Sequence, residues 1–190
     1  DLSFDISRDG NVVFYVRPAT PDTKLARLVA HDLRSGRETL VIEKRGLFSV
    51  AVSPDGQKLL IAAWRETEGQ ELFVMPASGG EPRELIGIGG ENEVAFWGAP
   101  WWTSDGRSIA FLKGVKGKTP NQWELWRVAV EGGEPQRIGL IPARFREAWL
   151  HPDGRRLAIL DVKIDFELWV MENFVPKPTG SPSGNRRTPQ

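Results

Sequence analysis

The chain has 190 residues, 40% of them hydrophobic and 26% charged, the balance of a globular domain able to bury a sizeable core. Its 25 basic and 25 acidic side chains cancel, which removes the overall electrostatic pull toward nucleic acid or an anionic membrane. With no cysteine there is no disulfide framework, thiolate metal site or cysteine nucleophile, and the compartment cannot be read from redox chemistry.

No apolar stretch approaches the roughly 18 residues that cross a bilayer. The opening Asp1-Leu2-Ser3-Phe4-Asp5 is no signal peptide. The absence of an initiating methionine suggests either that an upstream segment has been removed by processing or that this is a segment of a longer protein, and the repeat arithmetic favours the second. Leu2, Phe4 and Ile6 alternate with Ser3 and Asp5, a half-buried strand pattern, and lead into Ser7-Arg8-Asp9-Gly10. That turn recurs as Ser53-Pro54-Asp55-Gly56, Thr103-Ser104-Asp105-Gly106 and His151-Pro152-Asp153-Gly154, with the Asp-Gly pairs 46, 50 and 48 residues apart. Asp bonds its own downstream backbone, and Gly takes the left-handed conformation that closes a type I turn with a bulge.

An apolar run follows each turn, at 12–16, 59–63, 109–112 and 157–160. These runs do not alternate, so both faces of the sheet should be covered. A third strand recurs as Glu71-Leu72-Phe73-Val74-Met75, Glu124-Leu125-Trp126-Arg127-Val128 and Glu167-Leu168-Trp169-Val170-Met171, with 26–33 as a looser first copy. A second turn comes next, Ser78-Gly79-Gly80-Glu81-Pro82 or Glu131-Gly132-Gly133-Glu134-Pro135, with Ser35-Gly36 as a shorter version. It leads to a fourth strand near Leu40, Leu85 or Ile138. Four strands in a repeat of about 45–50 residues is the β-propeller unit.

The expected fold is therefore all-β: four four-stranded blades at about 1–46, 47–97, 98–143 and 144–174, the last lacking its fourth strand. These would form part of a ring of about six to eight blades. The tail 175–190, with four prolines and no apolar pattern, is expected to be flexible. With no strand to clasp the ring, further blades or self-association should complete it.

The Ser-Pro-Asp-Gly turn, Glu-Leu-Trp-Val-Met strand and Gly-Gly-Glu-Pro turn resemble those of the TolB-like propellers over residues 1–173. The closing Glu167 to Phe174 stretch resembles the end of large bacterial proteins that carry such a propeller at their C-terminus. The resemblance implies the fold, and favours a periplasmic or extracytoplasmic setting. It does not fix a function, because such blades serve many.

Chemistry-bearing residues are sparse. His151 replaces the Ser of the earlier turns and reads as a turn residue, and no Gly-x-Ser-x-Gly elbow occurs. The turn aspartates lack the loop pattern that converges oxygens on calcium. Gly87-Ile88-Gly89-Gly90 lacks the Lys and helix of a phosphate loop and reads as a flexible connection. No catalytic residue, cofactor or metal site is expected.

In an up-and-down meander the two kinds of repeated turn share one edge of the blade, and the longer, variable loops share the other. Recognition is expected on the loop edge, where Trp64, Arg65, Trp97, Trp101, Lys113, Lys116, Arg144 and Arg146 are the candidate binding residues. The first reading is a non-catalytic module binding a protein or peptide. The alternatives are the substrate-gating propeller of a serine peptidase whose hydrolase domain lies elsewhere, and a small-molecule or glycan binder using the tryptophans.

Overall fold

The computed structural model describes residues 3–89, 93–95, 98–115, 122–142, 145–151 and 156–161. Fifteen strands are found among them. The first blade is β1 (Phe4–Ile6), β2 (Val12–Arg17), β3 (Ala26–Asp32) and β4 (Glu38–Lys44), paired antiparallel in that order. The second repeats it with β5 (Leu47–Val52), β6 (Lys58–Trp64), β7 (Gln70–Pro76) and β8 (Arg83–Ile88). The third holds β9 (Glu93–Ala95), β10 (Trp101–Trp102), β11 (Ser108–Val115), β12 (Gln122–Ala129) and β13 (Gln136–Pro142). The fourth is described as a hairpin, β14 (Phe145–Leu150) and β15 (Leu157–Asp161). The expected third strand at Glu167 to Met171 and the tail 175–190 lie outside the described residues.

The turns form as their residues dictate. Gly10, Gly56 and Gly106 have φ of 71°, 76° and 67°, the left-handed region that only glycine occupies freely. Gly56 N–H donates to Ser53 C=O at 2.8 Å and Ser53 N–H to Lys58 C=O at 2.8 Å, which closes the hairpin. The buried Ser53 hydroxyl accepts Lys58 N–H at 2.8 Å and donates to Asp55 Oδ1 at 2.6 Å. Ser7 and Thr103 make the same pair of bonds in their blades. His151 keeps the backbone part, donating its N–H to Arg156 C=O at 2.8 Å.

Blades stack face to face. Phe14, Val16, Ala26 and Leu28 of the first blade pack on Leu59, Ile61, Phe73 and Met75 of the second. Leu60, Ala62, Leu72 and Val74 on the second blade's other face pack on Ile109, Phe111 and Val128 of the third. Leu112 and Ile141 of the third meet Ala148 of the fourth. Both faces of the middle blades are covered, which accounts for the continuous apolar runs. Each fully buried Leu or Ile contributes about 1.5–3 kcal/mol relative to exposure. The inner strands are also stitched: Ser3 Oγ and Asp5 Oδ2 accept Val50 and Val52 N–H at 3.2 and 2.7 Å, and Trp102 Nε1 donates to Ala51 C=O at 3.1 Å.

Two features depart from the simple repeat. The third blade's inner strand is split: Ala95 pairs with Lys113 and Trp101 with Ala110, so six steps along one strand face three along the other. Glu93–Ala95 thus contributes β9 to the third sheet, and Pro100, with no N–H to donate, lies between β9 and β10. Secondly, Gly87 and Ile88, read as flexible connection, belong to β8. Ile88 is buried between blades, and that burial holds the segment in the sheet.

Candidate functional site

The two edges of the blades differ in construction. On the turn edge, Leu33, Ala77 and Val130 N–H donate to the carbonyls of Asn11, Gln57 and Arg107 at 2.8, 2.8 and 2.9 Å. Each of these bonds fastens the end of a third strand beside the Asp-Gly turn of its own blade. Turns also touch across blades, with Arg8 Nη1 donating to Pro54 C=O at 3.2 Å.

The loop edge is held by side chains and by the tight glycines Gly46, Gly69 and Gly87. Trp64 N–H donates to Gly46 C=O at 2.8 Å, which brings the connection between the first two blades against the loop between β6 and β7. Lys44 reaches Glu71 at 3.2 Å, Arg65 lies 3.5 Å from both Glu71 and Glu84, and Arg45 pairs with Glu66 at 3.2 Å. The Arg65 guanidinium is laid over Gly87 of β8, where a Cβ would come within 1.8 Å of it. Arg65 Nε is buried with no hydrogen-bond acceptor, so the ion pairs to the two carboxylates compensate its charge without satisfying that N–H. Pairs this exposed are worth about 0–1 kcal/mol each.

The candidate residues are dispersed. Trp64 is half-buried and stacks on Phe48 with ring centroids 4.9 Å apart, within the cluster between the second and third blades. Trp101 packs partly buried at the junction of the third and fourth blades. Lys113 lies over the Trp126 ring, which borders the same cluster as Trp64. Arg146 sits at a register shift of β14, and its side chain, like Trp97, Lys116 and Arg144, lies outside the described residues. The structure therefore places Trp64, Arg65 and Lys113 around the second and third blades, and Trp101 one interface further on.

Reading the sequence missed the roles of Glu71, Glu84 and Glu124, the carboxylates that fix these cations. The only signal was the repeated Glu at the head of each third strand. Also unforeseen is a cleft of about 380 Å³ on the turn edge between the second and third blades, lined by Lys58, Met75, Arg83 and Glu131 among others. Arg83 donates to Val130 C=O and Lys58 pairs with Glu131 at 3.4 Å, so both cations bridge the blades there. Among the described residues no cluster of three His, Asp or Glu could hold a metal ion, and no helix is long and apolar enough to cross a membrane.

No protein-family model and no curated protein matches the chain. Solved structures do match. TolB from Acinetobacter baumannii superposes with a TM-score of 0.60 at 21% identity, over 84% of this chain and 37% of that one. The β-propeller domain of the Trilobed protease from Pyrococcus furiosus gives 0.54 at 20% identity, over 80% of this chain and 47% of that one. Pyrococcus horikoshii acylaminoacyl peptidase gives 0.53 at 17%, over 73% and 25%. The chain thus spans less than half the length of each. Its blades, their order and their stacking are those of the TolB-like β-propeller fold.

Proposed function

We propose that the chain is a non-catalytic propeller module that binds a protein or peptide through its loop edge. The observation that carries this reading is the contrast between the two edges. The turn edge is short and repeated, with its turn aspartates and serines bonded within their own turns. The loop edge differs from blade to blade and presents a fixed array of alternating charge, Lys44, Arg45 and Arg65 against Glu66, Glu71 and Glu84. An array held in place before binding loses little side-chain entropy when a partner of complementary charge arrives.

Catalysis is assigned to no residue of this chain, since the sequence holds no thiol and no serine elbow. The test is a peptide-display selection against the immobilised chain. Binders should be lost on Arg45→Glu, Glu66→Lys or Lys113→Glu and kept on Glu81→Lys or Glu134→Lys in the Gly-Gly turns. The reverse pattern would move the site to the turn edge.

A second reading has one observation in its favour, the likeness of the blades to propellers in a protease and a peptidase. In that case the chain would gate substrates for a hydrolase domain encoded beside it. A Gly-x-Ser-x-Gly elbow in the adjoining gene sequence would favour this reading, and its absence would remove it.

A further inference from the structure

At the turn edge, the junction between the second and third blades is built differently from the one before it. In the first blade Val12 pairs with Asp32 and Ala30 with Thr39, and Val12 and Ala30 pack with Ala77 against the apolar cluster beneath. The equivalent pairs of the second blade are Lys58 with Pro76 and Val74 with Arg83. Two cations thus stand where the first blade has Val12 and Thr39, and they line the cleft of about 380 Å³ that opens against Glu131 of the third blade. The third blade carries Ser108 and Gln136 at these places, so the cations are not a requirement of the repeat. Both walls come from the two middle blades, and the cleft is independent of what packs on the first or the fourth.

The donors of the cleft are largely uncommitted. Arg83 Nη2 donates to Val130 C=O, which fixes the guanidinium against the third blade, and among the described residues no ion pair holds it. Gly132 beside it has no side chain, and a Cβ there would lie 3.9 Å from Arg83 Nη1, so the turn leaves that side of the fork uncovered. Lys58 Nζ lies 3.4 Å from Glu131, but the Glu131 side chain is 87% exposed, and so open a pair is readily exchanged for another anion. Pro76 and Val74 add an apolar wall beside the two cations.

We propose that this cleft binds a carboxylate monoanion with a short apolar body, the carboxylate held between Arg83 and Lys58 and the body laid on Pro76 and Val74. A guanidinium already oriented by one bond presents its remaining N–H groups as a planar fork, the shape that a carboxylate accepts in bidentate fashion. Lys58 and Arg83 less Glu131 leave a single positive charge, which matches a monoanion better than a phosphate dianion. The volume is near the lower end of the roughly 300–1,000 Å³ of small-ligand sites. Two sources share this chemistry, a free small carboxylic acid and the C-terminal end of a peptide. The site is on the turn edge and stands apart from the array on the loop edge.

The test is calorimetric titration of the chain with isovalerate, with acetyl-Ala-Ala-Val, with the C-terminal amide of the same peptide and with inorganic phosphate. At least one of the two acids should bind. Isovalerate binding as tightly as the peptide assigns a small acid as the source, and binding of the peptide acid alone assigns a chain end. Arg83→Gln should weaken binding on the order of 10-fold and Lys58→Gln a few-fold, while Glu131→Gln should tighten it a few-fold by removing the competing carboxylate. Arg83→Lys should recover only part of the loss, because an ammonium has no fork. The opposite sign at Glu131 is a result that mere loosening of the junction would not give, and it keeps the proposal testable even if the Arg83 variants fold poorly. No binding of either acid up to about 10 mM overturns the proposal. So does equal binding of the amide, tighter binding of phosphate, or an affinity that Lys58→Gln and Glu131→Gln leave unchanged.

Discussion

Lys113 Nζ lies 3.7 Å from the centroid of the Trp126 ring, and one blade earlier Lys44 Nζ lies 4.5 Å from Phe73. Phe73 and Trp126 hold the same place in their third strands, each two residues after a glutamate that serves the cation above it. Glu71 pairs with Lys44 at 3.2 Å. Burial pushes the Glu124 carboxyl up, but bonds from Trp126 Nε1 at 2.9 Å and Arg137 at 3.1 Å, with the charges of Arg137 and Lys113, hold it below the ordinary carboxylate value. The relation is thus conserved in geometry while its cation comes from the preceding blade in one case and from the same blade in the other.

Removing the cation should therefore cost stability at the loop edge. Lys113→Ala is expected to destabilise the chain by about 1 kcal/mol, the scale of a partly desolvated cation–π contact, and Lys113→Arg to retain most of it. Urea denaturation followed by tryptophan fluorescence measures both. Equal losses for Ala and Arg would assign the effect to packing of the aliphatic stem.

The hydroxyl two residues before the turn aspartate in the first three blades is a second point of leverage. Ser53 is buried, and its hydroxyl accepts one backbone N–H while donating to Asp55. Ser53→Ala should cost about 1–2 kcal/mol, because it leaves Lys58 N–H without its side-chain acceptor. Ser53→Thr should be near neutral, since Thr103 makes the same bonds at the equivalent place. Midpoints of chemical unfolding for the two variants decide the point.

Much of the architecture was legible because it is local. Asp-Gly turns at a steady period, apolar runs after them and Gly-Gly turns 20-odd residues later each act within a few residues. What escaped the sequence depends on blades already stacked. Register shifts recur where the third and fourth strands meet, between Leu28 and Val29, Leu72 and Phe73, and Leu125 and Trp126, each after a Leu that reads as ordinary strand sequence. Lys44 finds Glu71 and Arg83 finds Val130 across a blade boundary, a relation no spacing announces. Trp64 looked like a surface aromatic because loop sequence follows it, yet Phe48 on the neighbouring strand stacks against it.

Glycine positions that share a backbone conformation should differ sharply in tolerance. Gly10, Gly36 and Gly46 all have φ of 71°, but a Cβ on Gly10 or Gly36 meets nothing within 4 Å, whereas on Gly46 it would lie 2.2 Å from the Trp64 carbonyl oxygen. Gly10→Ala and Gly36→Ala should therefore cost about 1–2 kcal/mol each, the price of a left-handed L-residue alone. Gly46→Ala should cost more, about 3 kcal/mol or above, because backbone must move on both sides of the contact. Thermal melting of the three variants side by side gives the ranking, and equal losses would mean the connection between the first two blades yields freely.

The turn aspartates make stability depend on pH in a definite direction. Asp9 is held down to about 2 by the Ser7 hydroxyl first, then by the Asn11 side chain and backbone N–H. Asp55 is lowered by the Ser53 hydroxyl and Gln57 N–H, and Asp105 by the Thr103 hydroxyl and Arg107 N–H. A carboxyl whose value is lower in the folded chain adds stability above its unfolded value, here 3.8, and loses it as pH falls toward the folded one. The melting temperature should accordingly be flat from about pH 7 to 5 and fall between about pH 4 and 2 as the three turns protonate. Replacing Asp9, Asp55 and Asp105 together by Asn should lower the plateau and flatten the decline, because an amide keeps some of the turn bonds but has no proton to take up. Scanning calorimetry of both proteins across that range tests it, and an undiminished acid slope in the triple variant would show that other carboxylates govern acid unfolding.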